Sequence, residues 1–341
     1  MEDNFPSYVS ALAQEIEYTD ELKDTNITSV FIGGGTPSLL PSFYIEKIMN
    51  ALSRYKIATD AEITIESNPN SLTKDKLRDY KSLGINRLSV GLQAYQDHLL
   101  KIMGRPHNAQ DFLTCIENAS SAGFRNISAD LIFALPGQSL NDWEESLRIA
   151  TDASLSHISC YGLIIEEGTP FYHNFEPVDD DTDRRMYYAA VELLGSYGFS
   201  QYEISNFAKE GFKSRHNLAY WERKNYIGLG LSAHSLYNNT RFENTGNLKD
   251  YIKGRNCRQN ITKLSWEEIM AEFMFLGLRM SEGIIISRFR KEFGVDFREV
   301  YGEVLNRNVA NGLLEVCGDK VKLTRIGIDL SNLVLSEFLM D

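Results

Sequence analysis

The chain of 341 residues carries a formal net charge of −12 and a pI near 5.1, a balance that repels nucleic-acid phosphates unless a local basic cluster intervenes, and no such cluster is visible. Hydrophobic residues make up 43% and charged residues 24%, close to globular averages, so a full core is expected, organised at this length as one large domain plus a small one. No stretch approaches the roughly 18 consecutive apolar residues of a membrane span, and "MEDNFPSYVS" lacks the basic and apolar regions of a secretion signal; the expected location is cytoplasmic, with at most peripheral membrane contact.

From Ile27 to about Cys160 one theme recurs: a short β-branched run, a polar loop, then an amphipathic helix. The first run, "SVFI" (29–32), breaks into Gly33, Gly34, Gly35, Thr36 and Pro37. Bare backbone of this kind lets a ligand approach main-chain groups closely; a tight turn into a helix, with Thr36 as N-cap and Pro37 at N1, fits the same residues. Neither a dinucleotide fingerprint nor a Walker loop continues from it. Further strands are predicted at "EITIE" (62–66), "RLSVGL" (87–92), "ISADLIF" (127–133) and "HISCYGL" (157–163), with helices between them such as "KDKLRDYKSLG" and "NDWEESLRIATDA". Strand and helix in alternation imply parallel strands covered by helices, in an open sheet or a barrel.

Polar residues punctuate these strands. Thr36 follows the first, Glu66 closes the second, Gln93 follows the third and Asp130 sits within the fourth. In a barrel the C-terminal strand ends converge on one mouth, so such groups can share a site; singly, each also reads as a cap or a hydrogen-bonded buried acid.

After about Phe171 the composition changes. "EPVDDDTDRR" reads as a solvated acidic loop before the helix "RRMYYAAVELLGSYG", and an aromatic, glycine-rich segment follows, with His216 in "RHNLAYW" and His234 in "GLGLSAHS". From Ser265 three helices and a strand pair resemble a winged helix, but 9 Lys/Arg against 13 Asp/Glu make DNA an improbable partner; the tail is expected to pack over the barrel. Cys115, Cys160, Cys257 and Cys317 form no CxxC or CxxxCxxC group and read as buried thiols in a reducing compartment, with no metal site.

Taken in order, "FIGGGTPSLL", "TIESNPNSL", "LSVGLQAYQDHLLKIMGRPHNAQDF", "ADLIFALPGQ", "EEGTPFY", "SRHNLAYW" and "GLGLSAHS" resemble the radical S-adenosylmethionine (SAM) proteins of the oxygen-independent coproporphyrinogen oxidase group. The resemblance runs from about Ser7 to the C-terminus, and "RHNLAYW" favours the heme-chaperone branch. It implies an α/β fold, a partial (β/α)6 TIM-like barrel over 1–240, and a mostly helical, winged-helix-like domain over 241–341. It implies a SAM site in which Gly33, Gly34, Gly35 and Thr36 line the methionyl amino end, Glu66 lies beside the ammonium, Arg105 of "MGRPHN" faces the carboxylate, and Gln93 and Asp130 bond the ribose hydroxyls. Family members carry a first strand and a CxxxCxxC segment holding a [4Fe-4S] cluster just ahead of the residues matching "MEDNFPSYVSAL". This sequence begins past that point, so a barrel without its first strand, cluster ligands or cluster-dependent activity is expected.

The branch also implies heme, delivered to a heme-requiring client protein. His216 is the candidate near the iron, with Tyr220 and Trp221 supplying apolar surface and Arg215 or Arg223 assisting the propionates; a histidine packed in an aromatic cluster is the competing reading, and His234 reads as structural. The alternative activity within the group is that of a coproporphyrinogen III dehydrogenase. A plain barrel binding a phosphorylated metabolite would leave Glu66 and Arg105 without a reason.

Overall fold

The computed structural model describes residues 2–254 and 257–339. Strands β1 (Ile27–Ile32), β2 (Ile57–Ser67), β3 (Arg87–Gln93), β4 (Asn126–Phe133) and β5 (His157–Gly162) pair in parallel and in sequence order, and β6 (Ser200–Glu203) and β7 (Asn206–Ala208) add an antiparallel pair beyond β5, giving a seven-stranded sheet with β1 at one edge. The sheet curls into an open half-barrel. Parallel pairing requires crossovers, here supplied by α2 (Ser42–Leu52), α3 (Lys74–Ser82), α4 (Asp97–Ile102), α5 (Ala109–Ser121) and α6 (Leu140–Asp152); α1 (Phe5–Glu17) precedes β1, and α7 (Pro170–Asn174) and α8 (Asp180–Ser196) lead from β5 to β6. Reciprocal capping boxes, Asn108 with Asp111 and Ser139 with Asp142, fix where α5 and α6 begin.

Register separates two faces. Ile63 and Ile65, Leu88 and Val90, Ile127 and Ala129, and Ile158 point outward into one core with Val9, Ile45, Leu77, Phe112 and Trp143 from the helices. The alternate residues point inward: Ser29 pairs with Glu62, Glu66 with Ser89, Ser89 with Ser128, and Asp130 with Gly91 and Ser159. The period of two thus makes the convex face apolar and the concave face polar.

The acidic stretch expected as a loop is instead the start of a helix. Asp179 caps α8, accepting from the Thr182 N–H, and Asp180, Asp181 and Asp183 occupy its first turn, where the N-terminal end of the helix dipole favours negative charge.

Helix α9 (Arg215–Trp221) leads into β8 (His234–Tyr237), β9 (Thr240–Asn244), α10 (Leu248–Ile252) and β10 (Arg258–Lys263), the three strands forming an antiparallel sheet. The hairpin β8–β9 straddles the division expected after residue 240, and its Leu236 already belongs to a second core. That core is completed by α11 (Trp266–Gly277), β11 (Ile284–Ile285), α12 (Ile286–Phe293), α13 (Phe297–Ala310), β12 (Leu314–Cys317), β13 (Lys320–Leu323), α14 (Arg325–Asp329) and α15 (Ser331–Ser336), in a winged-helix-like order with a sheet β11–β13–β12. This tail packs against the β6 end of the half-barrel: the Ser281 N–H donates to the Tyr202 carbonyl at 3.0 Å, and Arg279 meets Glu203 at 3.6 Å.

One buried charge cluster ties α9 and β9 to α11. Glu272 accepts from Arg223 Nε at 2.6 Å and from Arg241 Nη2 at 2.7 Å. Removing the shared carboxylate leaves the buried Arg223 without its counter-charge, while Arg241, 40% exposed, turns to water, so Glu272→Ala is expected to lower stability by about 3 kcal/mol, read as a shift of the urea midpoint at unchanged slope.

Candidate functional site

The site begins where β1 stops. Gly34 and Gly35 take φ of +85° and +68°, left-handed values that glycine adopts without strain, and the chain turns there into a 3-10 segment at Pro37–Leu39 before α2. Thr36 holds the N-cap position of that segment, but its side chain makes no capping bond. The turn is fastened from β2: Glu66 Oε2 accepts the Gly34 N–H at 2.9 Å. Gly33 has no room for a side chain, since a Cβ there would lie 2.5 Å from Phe31 Cε1 and 3.0 Å from Glu66 Oε2. Burial pushes the Glu66 carboxyl up, the Gly34 bond opposes this, and the charge of Asp130 adds to it.

Asp130 sits across the same concave face. It accepts from Ser89 Oγ at 3.0 Å; burial raises its carboxyl, while bonds from Ser159 and Ser89 and the charges of Arg87 and Arg105 work against that rise. Arg105, in the loop after α4, is therefore within electrostatic reach of Asp130. Gln93 ends β3 at a register shift with φ of +69°, and its amide folds back over Gly91, where a Cβ would lie 2.5 Å from Nε2. Because Gly91 pairs with Asp130, Gln93 and Asp130 are neighbours. Glu66, Asp130 and Arg105 are thus electrostatically coupled near the C-terminal strand ends, with Gly34 bonded to Glu66 and Gln93 beside Gly91. The turn thus combines Gly33, with no space for a Cβ, left-handed Gly34 and Gly35, and a carboxylate beside them, with a guanidinium near a second carboxylate.

His216 lies lower on the same wall. Helix α9 is docked on β2 by Glu62, a 5% exposed carboxylate that accepts the backbone N–H groups of Arg215 at 3.1 Å and His216 at 3.0 Å. The His216 ring stacks on Phe31 with centroids 4.7 Å apart and meets Tyr220 edge-on at 4.9 Å, and Nδ1 lies 3.3 Å from Ser29 Oγ. Burial and the nearby Arg87 charge pull the imidazole down to about 4, so it is neutral at pH 7. Phe31 therefore separates the glycine turn from His216 by a single ring.

A second buried histidine backs this helix. Tyr202 Oη accepts the Ser214 N–H at 3.3 Å and lies 2.8 Å from His157 Nε2, and His157 Nδ1 lies 2.7 Å from Ser128 Oγ, the tautomer of the ring setting which of each pair donates. Both nitrogens are engaged, and burial holds this ring well below the ordinary histidine range.

Several expectations are corrected. Arg223 is committed to Glu272 and Asn239, and Arg215 to Asp60 at 3.2 Å, so neither is a free cation beside His216. Trp221 turns from His216 toward the tail, with Arg279 4.4 Å above its ring. His234, read as structural, is 69% exposed and lies 3.3 Å from Glu243 across the β8–β9 pair. Cys115 and Cys160 are buried, but Cys257 is half-buried and Cys317 exposed. Among the described residues no group of three or more His, Cys, Asp or Glu side chains is arranged to hold a metal ion.

The radical SAM superfamily profile matches residues 2–150, and the HemN C-terminal domain profile matches residues 264–330. The heme chaperone HemW of Bacillus subtilis is 37% identical over 345 residues, covering 97% of this chain and 91% of that protein; HemW of Lactococcus lactis is 31% identical, covering 98% and 90%. The chain belongs to the HemW family of the radical SAM superfamily. In fold it is similar to coproporphyrinogen III oxidase (HemN) from Escherichia coli, a radical SAM enzyme, with a TM-score of 0.85 at 20% identity over 100% of this chain and 84% of that one. Helix α9 lies between the two profile ranges, within the span shared with the HemW relatives.

Ser29, Phe31, Glu62, Arg87 and the Ser128–His157–Tyr202 chain are site residues that strand and motif reading passed over. A signal existed: Glu62, Thr64 and Glu66 alternate with Ala61, Ile63 and Ile65, and a polar residue at every second position marks a face that is not hydrophobic core. Gly33→Ala is expected to displace Phe31 and cost about 1–3 kcal/mol, and with it the His216 stacking; a lowered thermal midpoint and a shifted His216 ring resonance in NMR spectra check this.

Proposed function

We propose that this chain is a heme chaperone that binds SAM and heme and passes heme to a client protein, in keeping with the HemW relatives. The observation that carries the reading is the pairing, across one Phe31 ring, of the Gly34–Glu66 turn with a neutral histidine. In this reading the SAM ammonium lies against Glu66 and the backbone of Gly33 to Thr36, its carboxylate against Arg105, and its ribose against Gln93 and Asp130. Glu66 suits an ammonium because a carboxylate beside a cation is driven to its charged form, and Arg105 offers a fork to a carboxylate. SAM would supply an activated sulfonium there; no reaction step is derived through a cluster.

For heme, His216 would donate Nδ1–H to Ser29 Oγ and leave the Nε2 lone pair for iron, the arrangement by which a second partner fixes a histidine's ligating tautomer. The helix is held for this by Glu62. The client and a cytoplasmic location belong to the same proposal; among the described residues no helix is long and apolar enough to cross a membrane. The reading as a coproporphyrinogen III dehydrogenase draws on the fold likeness alone.

Glu66→Gln and Arg105→Ala are each expected to weaken SAM binding about tenfold by isothermal titration, the loss of one charge-assisted contact; unchanged affinity in both would remove SAM from this concavity. His216→Ala is expected to shift the Soret band of bound hemin and weaken its binding at least tenfold with the fold intact by circular dichroism.

The pH dependence follows from the imidazole near 4. A histidine whose folded value lies below its ordinary value of about 6.5 contributes stability that is complete above that value and lost as pH falls from there through the folded one. The same neutral ring stays available to iron. In the heme-free chain the His216 ring resonances are therefore expected to hold from pH 8 to about 5 and to shift on approach to 4, whereas a solvent-exposed histidine would titrate near 6.5.

A further inference from the structure

The loop that carries Arg105 is held from two sides. Between α4 and α5 the chain runs Gly104, Arg105, Pro106, His107; Asn70 Nδ2 donates to the Pro106 carbonyl at 2.9 Å, and His107 Nε2 lies 3.2 Å from the Leu92 carbonyl. A carbonyl only accepts, so the His107 proton is on Nε2 and Nδ1 keeps its lone pair. That leaves Nδ1 buried without a partner among the described residues, in a residue only 4% exposed. An unmet buried acceptor is costly, and an apolar side chain would fill the same space without that cost, so the imidazole is there for the one bond it makes. Burial pulls the ring below the ordinary histidine range, the Leu92 bond opposes this and the Arg105 charge adds to it; the ring is neutral at pH 7.

The carbonyl it holds is a particular one. Leu92 precedes Gln93, and its oxygen already accepts the Ala94 N–H at 2.9 Å. A bond from i+2 to i around a residue with φ of +69° makes a γ-turn of the rare, strained hand. Such conformations persist only where the surroundings over-determine them, and His107 supplies a second bond to the same oxygen. We propose that His107 is a positioning residue: by clamping the Leu92 carbonyl it fixes the turn at Gln93 and the loop of Arg105 relative to each other, and with Asn70 it ties both to the segment that follows Glu66. Gln93 and Arg105 flank α4 on opposite sides, so without this clamp only the helix connects them. The inference rests on the SAM reading for its ligand; the placement belongs to the free chain.

The test compares His107→Ala with His107→Gln, whose side-chain amide can offer an N–H where Nε2 stands. Neither variant has the ring, so a difference between them reads the bond. By calorimetry SAM is expected to bind His107→Ala about tenfold more weakly, and His107→Gln within about threefold of the unaltered chain. In an Arg105→Ala background the His107→Ala loss is expected to shrink to a few fold, because one of the two groups it positions is gone. Asn70→Ala, at an exposed residue, serves if His107→Ala does not fold: a loss of a few fold supports the clamp and unchanged affinity overturns it. A folded His107→Ala that binds SAM within about twofold of the unaltered chain, while Arg105→Ala does not, overturns the inference and leaves the SAM reading standing. If the unaltered chain binds no SAM, that reading falls and the ligand-free chain decides the placement. The HN–Hα coupling of Gln93 and the Arg105 Nε–H resonance are then expected to differ between His107→Ala and His107→Gln, and identical values overturn the inference.

Discussion

Most residues on the inner face of the parallel strands are polar, and the rest of the molecule is arranged around that fact. Parallel sheets are normally apolar on both faces, because helices cover both. Here the convex face is covered by helices, the isoleucines and leucines of β2 to β5 meeting the core of α1, α2, α3, α5, α6 and α8, while on the concave face α9 docks through Glu62. The concave face holds Glu62, Thr64, Glu66, Arg87, Ser89, Asp130 and His157, which cannot be buried without partners. Some find them in one another, as Ser89 does in Asp130 and Ser128 in His157. Others, including Thr64 Oγ1 and Arg87 Nε, are buried without a partner among the described residues.

Strands β1 and β2 serve two purposes along their length. At about 3.3 Å per residue, Glu66 and Glu62 are four residues and roughly 13 Å apart on one face of β2; the upper carboxylate fastens the glycine turn and the lower one docks α9. On β1, Phe31 fills the space a side chain at Gly33 would need and presents its face to His216. The absence of a Cβ at Gly33 is thus tied to the placement of a histidine more than 180 residues later in the chain.

Helix α9 is short, and little within it would hold it in place. It is positioned by side chains of other elements: Glu62 at its start, Tyr202 behind Ser214, and Glu272 gripping Arg223 just past its end. With both ends fixed, its two faces are presented to different surroundings, one to the half-barrel and the other to the winged-helix-like tail.

The sequence by itself determined the local elements. Periods of two and 3.6 residues, glycines at turns and capping signals are written within windows of a dozen residues, so the five parallel strands, the intervening helices, the winged-helix-like order of the tail and the polar strand-end positions Glu66, Gln93 and Asp130 were all legible. Only the tertiary structure decided which distant groups meet. Nothing near Glu62 shows that it accepts from an amide 154 residues away, nor that Arg223, read as a free cation, is neutralised by Glu272, nor that Cys317 lies exposed at a strand end while Cys115 is enclosed. These pairings are set by the packing of remote elements, which a local pattern does not encode; burial and partners, the quantities that set charge state and reactivity, exist only once the chain has folded.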